Sequence, residues 1–288
     1  MGDNDIVEML LQLNADALQY AFERACLRSK ISTARLLHEK GARPQPGSVM
    51  GPCETLSAAG LALQFELGAE LVDEKGDPLA PICLLLETYS RNPEGKHGCM
   101  EVIAKRSITW PDTPVFAIHQ GRLDLLQEHV KRDPGILNRQ YSHTDIYPRA
   151  LGCHEDPTEA LCGTPLAGGT LLHLCVDFDE YAIAEWRPAN GADVNTPAAI
   201  DTDGFGGHTA LYGCVVSQPY RVGRDNIAMT KLLLSHDATT DIRANLQKEL
   251  RGVDDETLHI YPNVTPLEWG RRFHDQDWVN PAVMALIA

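Results

Sequence analysis

No stretch of this sequence reaches the roughly 18 consecutive apolar residues that a membrane-spanning helix needs. Its acidic start, Met1-Gly2-Asp3-Asn4-Asp5, is unlike the basic region and apolar run of a secretory leader. Aromatic residues are scarce at 6%, which disfavours a β-sandwich, whose strands draw heavily on them. Positive charge is short as well: 25 Lys and Arg stand against 40 Asp and Glu, a formal net charge of -15. A polyphosphate or an anionic bilayer is repelled at long range by that field, so neither nucleic acid nor membrane is expected as a partner. The eight cysteines contain no Cys-x-x-Cys pair, and Cys153-His154 with Cys162 lacks the spacing of a zinc site. No metal and no cofactor is therefore expected. A Gly-x-Ser-x-Gly elbow is missing, and Gly204-Phe205-Gly206-Gly207-His208 lacks the Lys-Ser/Thr of a phosphate loop. These absences exclude the common serine hydrolase and nucleotide-loop plans. Cys26, Cys83, Cys175 and Cys214 sit in apolar helical stretches and read as reduced core residues. The expected setting is soluble, reducing and cytoplasmic.

What is present is Leu and Ala in short helical runs and a repeated pattern. Its clearest copy opens at Thr170-Leu171-Leu172-His173-Leu174-Cys175, continues through a second helix from Tyr181 to Trp186, and closes at Asn190-Gly191-Ala192-Asp193-Val194-Asn195. Thr170 is placed to cap the first helix and Gly191 to end the second. Thr113-Pro114-Val115-Phe116, Thr209-Ala210-Leu211-Tyr212 and Thr265-Pro266-Leu267-Glu268 open further copies. Arg187-Pro188 interrupts the second helix of the best copy, which should be short or kinked.

This pattern closely resembles the ankyrin repeat. The resemblance implies an all-α solenoid of about five to six helix pairs with extended loops on the concave side. It implies a single domain over 1–288, with repeats near 15–46, 53–106 (irregular), 111–138, 168–195, 207–242 and 264–288. It also implies that His173 bonds between neighbouring repeats, a structural rather than catalytic role. Helices in the irregular region are expected near 54–67, 79–89 and 98–105.

The opening threonines stand further apart than the ~33-residue ankyrin period. The surplus falls in insertions at 139–167, 196–206 and 243–263, which the resemblance places as long finger loops beside one groove. They are rich in aromatic, His and acidic residues, a composition suited to binding rather than disorder. The expected binding set is Tyr141, His143, His154, Asp156, Asp201, Asp203 and Phe205, with His274, Asp275 and Trp278 from the last unit. The first function read from these features is an ankyrin-repeat binding module. It would recognise a protein partner, or a small neutral or cationic ligand, in the concave groove. The alternative is a hydrolase, possibly a glycoside hydrolase, with Asp177, Asp179 and Glu155 supplying acid, base or metal ligands. Whether the chain is an enzyme stays open on the sequence alone.

Overall fold

Threonines start the helix pairs, for the reason the sequence suggests. Thr113, Thr170 and Thr265 take extended backbone conformations, and each side chain accepts a hydrogen bond from an N–H of the following turn. Thr209 keeps the extended backbone but makes no such bond. The computed structural model describes residues 17–106, 108–154, 157, 161–250 and 256–288. These fall into two compact units, one within Met1–Ser90, Glu94–Thr109 and Leu151–Cys153, the other within Arg91–Pro93, Trp110–Ala150 and His154–Ala288.

The first unit holds α1 (Leu18–Leu27), α2 (Ile31–Glu39), α3 (Met50–Glu54), α4 (Ala58–Glu66), α5 (Ala80–Glu87) and α6 (Pro93–Ala104). Helices α1 and α2 form a hairpin whose core joins Phe22, Cys26, Ala34 and Leu37 to Leu63 of α4. One helix is expected over 54–67, yet Leu56 lies at φ 57° and splits it into α3 and α4. The hydroxyl of Ser57 then caps α4 at Gly60 and donates to the Cys26 carbonyl at 2.7 Å. A Cβ on Gly60 would fall 1.9 Å from that carbonyl oxygen, so only glycine permits the approach of α4 to the end of α1.

The second unit is a succession of helix pairs: α7 (Pro114–His119) with α8 (Leu123–Arg132), α10 (Leu171–Phe178) with α11 (Tyr181–Trp186), α12 (Ala210–Val215) with α14 (Ile227–Ser235), and α15 (Pro266–Arg272) with α16 (Pro281–Ile287). Short helices α9 (His143–Ile146) and α13 (Gln218–Arg221) lie between them. First helices pack in order, α7 on α10, α10 on α12, and α12 on α15, while second helices α11, α14 and α16 form a parallel row. The all-α repeat architecture is thus present here, and α11 stops at Trp186 before a 3-10 turn at Pro188–Asn190, where proline was expected to break it. Gly191, at φ 96°, ends the turn.

Polar bridges tie successive pairs together. His173 Nδ1 accepts from the Thr170 N–H at 3.0 Å, which leaves Nε2–H to donate to the His208 carbonyl of the next pair at 3.0 Å. Tyr212 occupies the corresponding place one repeat on, and its hydroxyl bridges the carbonyls of Ile242 and Val264 at 2.7 and 2.6 Å. The structural role expected of His173 is the one it has. Trp269 is fully buried and donates from Nε1 to Thr164 Oγ1 at 3.1 Å.

The third insertion departs from the all-α expectation. It folds as an antiparallel hairpin of β1 (Ala244–Lys248) and β2 (His259–Val264), with a bulge between Ala244 and Leu246. Ala244, Leu246 and Lys248 alternate inward along β1. No helix among the described residues is long and apolar enough to cross a membrane.

Candidate functional site

All three insertions of the second unit wall one pocket of about 840 Å³. Backbone hydrogen bonds lace them side by side. The N–H of Tyr141 reaches Gly169 O at 2.9 Å and that of Gly168 returns to Tyr141 O at 2.8 Å. Next, Ala199 N–H donates to Gly168 O at 2.9 Å, and Gly206 N–H to Asn245 O of the hairpin at 2.7 Å. A Cβ on Gly206, which lies at φ 121°, would meet Ala199 O at 2.1 Å. Replacing Gly206 with Ala should therefore distort the second insertion from within, at the turn whose N–H reaches the third. A cost of about 3 kcal/mol is expected from the φ strain and the clash together. A urea midpoint within experimental scatter of the parent would refute this account of the junction.

The walls are mainly apolar. Tyr141, Leu166 and Phe205 come from the first two insertions, Leu246 and Leu258 from the hairpin. Tyr141 donates to Ile136 O at 3.3 Å, and burial pushes its phenol up to about 12. Cys162 in the same wall is buried, which raises its thiol above the ordinary range. Neither group is ionised at neutral pH, so neither offers a ready nucleophile. His143 is oriented by a hydrogen bond from Nε2 to His154 O at 2.9 Å. Asp201 Oδ1 accepts the N–H groups of Asp203 and Phe205 at 3.0 and 2.9 Å and so fixes the Phe205 loop.

Lys248 is the buried cation of this pocket, 6% exposed. It pairs with no carboxylate among the described residues; Glu249, also in the lining, is exposed at the surface. An ammonium so placed can meet a negative charge or an acceptor on whatever enters the pocket.

Of the expected binding residues, Tyr141, His143, Asp201 and Phe205 line the pocket. His154 contributes the carbonyl that holds His143, and Asp203 sits exposed on the Phe205 loop. His274, Asp275 and Trp278 do not line it. Asp275 caps a 3-10 turn at Gln276–Trp278, and Trp278 is packed into the last unit. Glu155 and Asp156 lie outside the described residues. Asp177 and Asp179, candidates for acid and base, are each held by an arginine: Asp177 Oδ2 by Arg91 Nη2 at 2.7 Å, Asp179 Oδ2 by Arg224 Nε at 2.6 Å. Neither joins the pocket lining. Asp179 also takes the left-handed conformation, φ 62°, that ends α10. Lys248, Leu246 and Leu258 also line the pocket but are not among the expected residues, because 243–263 reads as a loop in the sequence. The alternation Ala244-Asn245-Leu246-Gln247-Lys248 was the available signal, since it puts a lysine in phase with two apolar residues.

No family model and no curated protein matches the sequence. Among solved structures, the human ASB11 ankyrin repeat domain is 13% identical, with 93% of this chain and 97% of that chain covered at a TM-score of 0.35. The ankyrin repeat domain of Bcl-3, a member of the IkappaB family, gives 13% identity, the same coverage of 93% and 97%, and a TM-score of 0.32. At so loose a superposition, it is the capped helix pairs, their ordered packing and the His173 and Tyr212 bridges that define the architecture.

Proposed function

We propose that the chain is a binding module that takes a protein partner through this pocket, seating an apolar side chain against Phe205, Leu246 and Leu258 and a carboxylate beside Lys248. The observation that carries the reading is an apolar mouth left open to solvent: Ile200 is 67% and Leu258 48% exposed at the edge of the pocket. Grouped exposed apolar residues around a concavity are what a partner's anchor residue covers. The acidic surface, with its net charge of -15, favours a partner that is basic or neutral outside the inserted segment. Lys248 supports a local exception, an acidic group on the segment that enters.

The test is selection of peptides from a random phage-displayed library against the full chain, followed by fluorescence polarisation with the synthesised winners. An aromatic or long aliphatic residue next to Asp or Glu should recur among them. Affinity should fall about tenfold or more in Phe205→Ala and in Lys248→Met, consistent with loss of an anchor of about 1.4 kcal/mol or more. Winners that bind both variants as tightly as the parent would place recognition elsewhere.

A further inference from the structure

Close to the hairpin, but outside the pocket lining, three side chains with metal-ligand chemistry converge. Glu256 precedes β2, His259 opens it, and His274 follows α15. Their donor atoms all lie within 4.8 Å of one another. Glu256 Oε1 stands 2.8 Å from His274 Nε2 and 3.8 Å from His259 Nε2. Two ligand atoms held about 2.0–2.1 Å from a tetrahedral ion are about 3.3 Å apart. Those two separations bracket that value, so the carboxylate is within reach of an ion shared with either imidazole.

His274 is prepared for the task on both ring nitrogens. Its Nε2 is buried and faces the Glu256 carboxylate at 2.8 Å. Its Nδ1 lies 2.5 Å from the Tyr261 hydroxyl, whose oxygen also accepts the His274 backbone N–H at 3.2 Å. A hydroxyl can accept from Nδ1–H as well as donate to Nδ1. Tyr261 therefore tolerates the tautomer that leaves the Nε2 lone pair free, the usual outer-shell arrangement around a ligating imidazole.

The His259 and His274 rings stack, 3.9 Å between centroids and 4° from parallel. An ion bound in the plane of each ring requires them to splay. His259 is free to tilt, being 38% exposed, whereas His274 is 14% exposed and packs on Phe273 with 4.6 Å between centroids.

We propose that Glu256, His259 and His274 bind one divalent transition-metal ion of the zinc class, with a fourth position left to water or to a group from a partner. Two imidazoles and one carboxylate favour such an ion over magnesium or calcium, which prefer all-oxygen shells. Leu258 lies between two of the ligands in sequence, so the ion pins the approach to β2 and fixes one edge of the pocket mouth. The site stands on its own residues and does not depend on what the pocket binds.

The test is titration of the metal-free full chain with Co2+, followed by visible absorption and displacement with Zn2+. One equivalent should bind, with tetrahedral d–d bands and without the strong near-ultraviolet band of thiolate ligation. His259→Gln and Glu256→Gln should each weaken Zn2+ binding about tenfold or more, while circular dichroism and the metal-free Tm stay at parent values. Absence of saturable binding below about millimolar Zn2+, binding undiminished in both variants, or a thiolate band assigning the ion to cysteines would each overturn the site.

Discussion

Truncating Asp177 to Ala is expected to lower the unfolding free energy by about 3–5 kcal/mol, the cost of leaving a buried charge without its counter-ion. Arg91 and Asp177 have side-chain exposures of 5% and 6%, and the guanidinium also donates to the carbonyls of Asp177 and Leu161, each at 2.8 Å. These bonds secure the segment around Arg91 to α10 and to the end of the first insertion. The two backbone carbonyls remain after truncation, but the charge does not. The removal of both members, in Arg91→Met with Asp177→Leu, should recover much of the loss. Urea denaturation with a double-mutant cycle measures it. A midpoint unmoved by Asp177→Ala would return this carboxylate to the pool of groups available for chemistry.

Acid is expected to weaken the second unit well before its carboxylates titrate. Burial, reinforced by the neighbouring His208, lowers the His173 pKa to about 3, and burial lowers that of His208 to about 4. The cause is visible in the hydrogen bonds: both imidazoles donate from Nε2, to His208 O and Pro165 O, and a further proton on His173 would face the Thr170 N–H. Above pH ~6.5 both are neutral whether the chain is folded or not, so stability does not vary on their account. Below that value the unfolded chain takes up protons that the folded one refuses. Stability then falls with pH at up to about 1.4 kcal/mol per unit for each histidine, until the folded pKa values are passed. Between pH 6.5 and 5 the loss should reach about 3 kcal/mol for the pair. His173→Gln should roughly halve that slope. A urea midpoint constant across the interval would show that these imidazoles titrate normally.

The ankyrin-like pairs were legible because their determinants are local. A threonine cap, a closing glycine and a helical apolar stripe are each written within a few residues, as at Thr170–Asn195. The three insertions were located by the same logic, from the distance between one cap and the next. Their internal structure was not legible, since it depends on partners far along the chain. The N–H of Gly206 finds Asn245, and Lys248 pairs in register with His259. For the same reason four of the expected site residues could be placed on the pocket from their loops, while Asp177 and Asp179 could not be recognised as occupied. Arg91 and Arg224, which hold them, are remote in sequence. Glu256 and His259 stand in one insertion, but His274 joins them only after α15 has turned the chain back.

The laced backbones of the pocket walls have a consequence for how its selectivity can change. Shortening or lengthening one connector would unseat its neighbour, because each strand of the wall lends its amide or carbonyl to the next. Drift between related chains should hence be found in side chains such as Phe205 and Leu258, on a frame whose loop lengths vary in concert.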